Sequence, residues 1–482
     1  MDVSYILDDL NSPQREAVSD ESQFSLILAG AGSGKTRVIT HKVAWLCKVH
    51  NLNPMSLLTV TFTNKAAKEM RGRIENILGE QLNQMWCGTF HSLFHRMLRR
   101  HWEEAGLPRS FSILDSEDQN RVIKRVIKSL ELDDATWQPS QAQWFINNQK
   151  EEGRRKAKIK SSASFVEEKM VDIMNEYQKV CDQEGLVDFA EILLRSFELL
   201  CNNKAILEHY QNRFEHILVD EFQDTNEVQY LLLKKLLGKK SFMTVVGDDD
   251  QSIYSWRGAE IKNFLEFDQI YKETEVIRLE ENYRSTQNIL SVASSLISNN
   301  QNRVGKTLKS TKNKGELVKL NCFKNGKDEA IGISDEIEKL KKKFTYNNIT
   351  ILVRAIFQTR EFEERFLKIG LPYRILGGTK FYERAEIKDC VAYLRLIYQE
   401  RDDLAFERIV NNPKRSIGES SLKSIHEYSK KYKICLESSS KKMIQENLIK
   451  PKAKIGLSSF LELIFKWRND SVSYTHLRAH ET

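Results

Sequence analysis

Paired cysteines are the first thing this sequence lacks. Its seven cysteines, Cys47, Cys87, Cys181, Cys201, Cys322, Cys390 and Cys435, are odd in number, widely spaced and never arranged Cys-x-x-Cys. That argues against a disulfide framework and against a zinc ribbon. Long apolar runs are also missing: stretches such as Phe24 to Ala31 and Leu457 to Phe465 fall well short of the ~18 residues that a spanning helix needs. The N-terminus sets Asp2, Asp8 and Asp9 around isolated apolar residues, unlike the basic start and apolar core of a secretory signal. No internal repeat of fixed period and no long low-complexity tract interrupts the chain. These absences point to a soluble protein of the reducing cytoplasm, without a membrane partner.

What is present fits a globular chain of several domains. Its 482 residues are 40% hydrophobic and 29% charged, and at ~150 residues per domain the length suggests about three. Lys plus Arg at 74 against Asp plus Glu at 67 leaves +7, which permits a polyanionic partner without proving one. Short β-branched runs alternate with amphipathic stretches, the pattern of a parallel sheet flanked by helices. Strands are expected at Phe24 to Ala29, Leu57 to Thr63, His216 to Asp220 and Met243 to Gly247, with helices at Lys35 to Cys47, Lys65 to Leu78 and Glu227 to Leu237. Between Phe94 and Gly185 the texture turns helical and includes the basic run Lys150 to Lys160, which reads as a solvated face with duplex contact as the functional alternative. A strand at Glu275 to Leu279 leads into a second α/β series: strands at Leu317 to Phe323 and Ile349 to Val353, helices at Lys327 to Lys343 and Thr359 to Ile369. After about Phe381 the chain is mostly helical and lysine-rich, and Ser471 to Thr482 shows neither period.

Three constellations carry chemistry. Ala29-Gly30-Ala31-Gly32-Ser33-Gly34-Lys35-Thr36 lies between a predicted strand and a predicted helix, the setting in which glycine-rich backbone amides and a helix N-terminus hold phosphate. Lys35 is expected to reach the β and γ phosphates of ATP and Thr36 to ligate Mg²⁺, although alanine stands where the strict pattern has its first glycine. At the end of the His216 strand, Asp220 is expected to hold Mg²⁺ through water, while Glu221, facing the other way, polarises the attacking water. Finally, Gly247 to Ala259 joins three aspartates to Gln251, suited to a γ-phosphate and its water, and to Tyr254, Trp256 and Arg257, whose interleaved rings and cation suit unstacked bases. His91 and His95 lie one helical turn apart, but no third ligand accompanies them and no metal site is read there.

With Val219 to Asp224, the last of these stretches resembles the superfamily-one helicases of the Rep, UvrD and PcrA type. The likeness continues in Leu10 to Val18, Thr61 to Met70, Gly88 to Ser92, Glu280 to Thr286 and Gly370 to Leu394, and covers about residues 4 to 425. It implies P-loop RecA-like lobes in tandem: a first ATP-binding lobe at 1–93 and 186–278, a helical insertion at 94–185, a partial second lobe at 279–378, a partial second insertion at 379–470, and a tail at 471–482. The implied activity is ATP-driven 3′ to 5′ movement on single-stranded DNA with strand separation at duplex junctions, and the implied partners are those of repair or replication, with oligomeric state left open. By the same resemblance Gln14 reads the adenine, Tyr283 stacks on it, Arg37 touches the nucleoside and Arg284 reaches the γ-phosphate. Phe62, Asn64, Thr89 and His91 are placed against the strand. Phe189, Tyr254, Trp256 and Arg257 match its base-stacking and base-separating positions.

Two of the family's later motifs are not found, and the text after about Lys450 loses the likeness. The chain therefore reads as truncated, with an incomplete second lobe, and the expectation is weak binding of ATP and single strands with poor unwinding. The rival readings are a nucleotide-gated DNA-binding fragment without turnover, the motor part of a helicase-nuclease, and an RNA-directed protein.

Overall fold

The computed structural model describes residues 3–155, 164–300, 303–377, 384–399, 401–432 and 434–481, with side chains through residue 471. Two compact units divide it, 1–318 and 319–482.

In the first unit, helix α1 (Ser12–Ser19) precedes strand β1 (Phe24–Ala29), followed by α2 (Lys35–Lys48), β2 (Leu57–Thr61), α3 (Asn64–Leu78), β3 (Trp86–Thr89) and α4 (Phe90–Arg100). A mostly helical segment comes next: β4 (Ser112–Ile113), α5 (Ser116–Ser129), α6 (Pro139–Glu151), α7 (Phe165–Glu184), β5 (Leu186–Val187), α8 (Phe189–Asn202) and α9 (Lys204–Arg213). The chain then returns to the sheet with β6 (His216–Val219), α10 (Glu227–Leu236), β7 (Phe242–Gly247), α11 (Ile261–Leu265), α12 (Phe267–Ile270) and β8 (Glu275–Leu279). Strand β9 (Glu281–Asn282), α13 (Gln287–Ile297) and β10 (Lys309–Ser310) complete it.

The large sheet runs β3-β2-β6-β7-β1-β8, with every neighbouring pair parallel. Because side chains alternate across a strand, each strand feeds two cores. Leu26 and Leu28 of β1 join Ile217, Val219, Met243 and Val245 on one face, while Ile27 and Ala29 join Leu218, Val246 and Ile277 on the other. Each of these buried Leu, Ile, Val and Met side chains contributes roughly 1.5–3 kcal/mol. The helices are fastened by their first turns. Asn11 and Gln14 form a reciprocal cap on α1, Thr63 caps α3, Thr89 and Ser92 cap α4, and Asp188 caps α8.

Several expectations need correcting. The second strand ends at Thr61, not Thr63, since Thr63 turns to cap α3. Strand β3 is absent from the sequence reading: its Trp86-Cys87-Gly88-Thr89 is too short to show a period. Glu275 to Leu279 is a strand as expected, and it pairs with β1 at the edge of the first sheet. Further along the chain, Leu317 to Phe323 and Ile349 to Val353 are not strands. A strand exists only through a backbone partner, and none is supplied to these segments among the described residues; Leu320 is accordingly 92% exposed.

The second unit consists of α14 (Gly326–Leu340), α15 (Thr359–Ile369), α16 (Ala385–Tyr398), α17 (Asp403–Ile409), α18 (Glu419–Tyr432), α19 (Leu436–Gln445) and α20 (Pro451–Glu481). Phe362 and Phe366 pack with Ala330 and Ile337 in one small core, and Phe406, Ile409, Leu457 and Phe460 anchor a larger one. The tail from Ser471, which shows no period in sequence, continues helix α20 to Glu481; the side chains after residue 471 and residues 378–383 of the motif at Gly370 to Leu394 lie outside the described residues. No described helix is long and apolar enough to cross a membrane.

Candidate nucleotide and nucleic-acid site

All the candidate residues from 29 to 91 and from 220 to 284 follow the carboxyl ends of strands, or cap the helices those strands feed, the edge at which open α/β sheets bind ligands. Between β1 and α2 the loop Gly30 to Gly34 turns through left-handed backbone at Gly32 (φ 70°) and Gly34 (φ 95°). Crowding adds to the demand for glycine at both. A Cβ on Gly32 would fall 2.6 Å from the Arg284 Cβ, and one on Gly34 would fall 2.7 Å from Gln14 Nε2.

Lys35 opens α2 and is only 8% exposed. Its ammonium lies 2.9 Å from Glu221 Oε2, yet no acceptor among the described residues meets it with hydrogen-bond geometry. Buried donors are nearly always satisfied, so this cation fits a phosphate acceptor. Beside it, Thr36 Oγ1 donates to Asp220 Oδ2 at 3.5 Å. Burial pushes the Asp220 carboxyl up to about 7, with help from the Glu221 charge and against the pull of Lys35. A hydroxyl and a desolvated carboxylate short of cations are the donor set that hard divalent ions take. ATP and Mg²⁺ therefore fit these residues.

Glu221 does not face away as expected. It sits in left-handed backbone (φ 52°), so strand alternation has already ended and both carboxylates enter the same space. Sequence reasoning also missed Gln223. Its amide nitrogen donates to Glu221 Oε2 at 2.9 Å and its carbonyl accepts from Asp248 N at 2.9 Å, tying the end of β6 to the end of β7. Nothing in the pattern sets that glutamine apart from a turn residue.

The residues expected at the nucleoside are held by the protein itself. Gln14 is buried, donates to the Ser33 carbonyl at 2.9 Å and accepts from Asn11 N at 3.2 Å. The Tyr283 hydroxyl bonds Glu281 Oε2 and the Asn11 amide, each at 2.7 Å, and its backbone nitrogen donates to Gly32 O. Arg37 pairs with Asp9 at 3.5 Å. Arg284 is set by Asn282, which accepts from its backbone N at 2.9 Å while donating to Ala31 O. No described residue engages the Arg284 guanidinium.

The three aspartates after β7 have found cations. Lys306 lies 2.5 Å from Asp248 Oδ1, 3.2 Å from Asp250 Oδ2, and in contact with Asp249. Arg303 grips Asp250 through two bonds of 2.6 and 2.8 Å. Gln251, expected at a γ-phosphate, here donates to Asp248.

The nucleic-acid candidates form two groups. Phe62 packs on Tyr254 with ring centres 4.7 Å apart, Tyr254 neighbours Trp256 at 6.3 Å, and Arg257 lies 4.7 Å over the Trp256 ring. Trp256 is 69% exposed, far more than a packing role requires. In the second group Thr89 donates to Asn64 Oδ1 at 3.4 Å, and His91 meets Phe189 edge-on at 5.7 Å. Burial pushes the His91 imidazole down to about 4, keeping it neutral. The register Thr61 beside Thr89 brings the two groups side by side.

Lys150 is no solvated residue: it is 1% exposed and lies 2.6 Å from Asp188 and 2.9 Å from Glu191, both equally buried. Arg155 and Arg195 extend the network onto Glu191. Burial alone would raise the Glu191 carboxyl, yet these three cations hold it well below the usual carboxylate range. Residues 156–160 of the basic run lie outside the described residues.

A doubly covered parallel sheet, a glycine loop delivering a buried lysine, and strand-end carboxylates define a phosphate-loop protein with a RecA-like nucleotide lobe. The chain belongs to the UvrD/Rep helicase family: the UvrD/REP helicase N-terminal domain matches residues 10–272 and the UvrD-like helicase C-terminal domain residues 277–460. It is 49% identical over 465 residues to DNA helicase II of Escherichia coli strain K12, covering 96% of this chain and 65% of that one. DNA helicase II of Haemophilus influenzae is 48% identical over 96% of this chain and 64% of its own. ATP-dependent DNA helicase PcrA of Staphylococcus epidermidis is 42% identical over 88% of this chain and 58% of its own. The chain thus spans less than two thirds of the length of each of these relatives. The family match also passes Lys450, where motif reading loses it, because α20 is a packing helix without a motif.

Proposed function

We propose that this chain is an ATP-dependent motor that moves 3′ to 5′ along single-stranded DNA and separates strands at duplex junctions. The observation that carries the reading is Lys35, a buried cation 2.9 Å from Glu221 that no acceptor among the described residues meets with hydrogen-bond geometry, placed on the same sheet edge as the exposed aromatic loop at Tyr254 and Trp256. In this reading Thr36 and Asp220 hold Mg²⁺, which supplies charge neutralisation to the phosphates. Lys35 holds the phosphoryl oxygens and Glu221, once released from Lys35, orients and deprotonates the attacking water. Arg284 adds positive charge where the transition state spreads its negative charge; an arginine so placed is typically worth ~10³–10⁵ in rate. Gln14, Arg37 and Tyr283 bind the nucleoside, and Gln251 turns from Asp248 to the nucleotide.

On the strand side Phe62, Tyr254, Trp256 and Phe189 offer base-sized faces, with Arg257, Asn64, Thr89 and His91 along the backbone. Segment 94–185 is an insertion of the first lobe, and 279–378 opens a second lobe.

Phosphate release with and without oligothymidine, together with displacement of duplexes carrying a 3′ or a 5′ tail, tests the reading. DNA-stimulated turnover and a 3′-tail preference are expected; preference for the 5′ tail would overturn the polarity, and lack of ATP binding the whole. The unpaired segments at 317–323 and 349–353 favour a second reading, nucleotide-gated strand binding without turnover, which single-turnover hydrolysis in the presence of DNA separates from the first.

A further inference from the structure

One short stretch, residues 303–309, touches both halves of the site. At one end Arg303 and Lys306 enter the aspartate run, and Val304 N donates to Asp249 Oδ2 at 3.0 Å. Thr307 N and Lys309 N fasten the middle to Glu280, at 3.1 Å to its carboxylate and 2.9 Å to its carbonyl. At the other end the Leu308 side chain lies on the phosphate loop: a Cβ built on Gly30 would come within 2.3 Å of Leu308 Cδ2. No methyl group fits between them, so the Gly30 backbone cannot shift toward Leu308 without displacing it.

Lys306 is 5% exposed at its side chain, and Asp248 and Asp249 are as buried. A cation there is required, since adjacent desolvated carboxylates repel strongly and a buried charge without its partner is costly. Asp248 in turn accepts from Gln251, and its backbone nitrogen donates to Gln223, which also holds Glu221. Tyr254 and Trp256 follow directly along the chain.

We infer that Lys306 is a positioning residue: seated among Asp248, Asp249 and Asp250 while Leu308 rests on Gly30, it ties occupancy of the phosphate loop to the setting of the Tyr254–Trp256 loop. The inference rests on the nucleotide-and-strand reading above. Without the lysine, Asp248 and Asp249 separate, Gln251 goes with Asp248, and the aromatic loop no longer follows the nucleotide. The guanidinium of an arginine keeps the charge and preserves the link.

The test measures anisotropy of fluorescein-labelled oligothymidine with and without a nonhydrolysable ATP analogue and Mg²⁺, for the full chain and for Lys306→Met, Lys306→Arg and Leu308→Ala. In the unaltered chain the analogue is expected to change strand affinity within the range of about 5- to 150-fold usual for coupled sites. Lys306→Met should bring that factor to within about twofold of one while each ligand alone still binds, Leu308→Ala should reduce it, and Lys306→Arg should restore most of it. Wild-type coupling in Lys306→Met overturns the inference. Where Lys306→Met loses both affinities together with its thermal midpoint, Leu308→Ala decides: undiminished coupling there leaves Lys306 merely structural, and lost coupling supports the link. Failure of the unaltered chain to bind the analogue overturns the parent reading instead, and is recognised by that alone.

Discussion

Lys35, Asp220 and Glu221 share one space with two carboxylates and a single ammonium, and the imbalance has a thermodynamic signature. With its pKa pushed up to about 7 by burial, Asp220 keeps its proton in the folded protein up to about pH 7, while it ionises in the unfolded chain at about 4. The folded state therefore loses stability as pH rises from about 4 to about 7 and carries the full penalty above that. Asp220→Asn is expected to raise the thermal midpoint of the nucleotide-free protein at pH 8 with no gain at pH 4; calorimetry showing equal effects at both would refute the assignment. In the same pocket, Lys35→Ala should abolish nucleotide binding, while Trp256→Ala should weaken strand binding by about 1–3 kcal/mol with nucleotide affinity retained. Equal loss of both functions from either change would argue against separate sites. The glycine loop and its lysine were legible because their chemistry is local. The inward turn of Glu221 was not, since it depends on one left-handed residue that the strand pattern cannot show.

Among the elements, α6 and α8 are joined by charge as well as by packing. Lys150 from α6 meets Asp188 and Glu191 from the first turn of α8, and the Tyr177 hydroxyl of α7 donates to the same Asp188 at 2.8 Å. Deleting one partner of such a network strands the others in a dry interior. Lys150→Met is expected to cost about 3–5 kcal/mol, read as a lowered urea midpoint with an unchanged slope; a shift under about 1 kcal/mol would show the network to be dispensable. In sequence Lys150 opens a basic run and looks solvated, because a lysine and a buried partner 38 residues away, Asp188, carry no joint pattern. Strand β1 was legible to the residue, its apolar run being buried on both faces. Leu317 to Phe323, an apolar run interrupted by Lys319 and Asn321, fails as a strand, because β-propensity describes a surface waiting for a partner.

The whole molecule turns on the order of strands. Placing β6 and β7 between β2 and β1 gathers the ends of β1, β6 and β7 into one cradle and sets the ends of β2 and β3 beside it. The same order brings Arg303 and Lys306 to three aspartates more than fifty residues earlier. From sequence alone came the class of sheet, the phosphate loop, the acid pair and the aromatic loop, along with the family likeness, because each is a property of neighbours along the chain. Tertiary structure alone decided that both carboxylates face Lys35, that Gln223 bridges two strand ends, that Lys150 is buried and that a lysine fills the aspartate run. Those are contacts between distant segments, settled by which charges can be desolvated together and which backbone finds a partner.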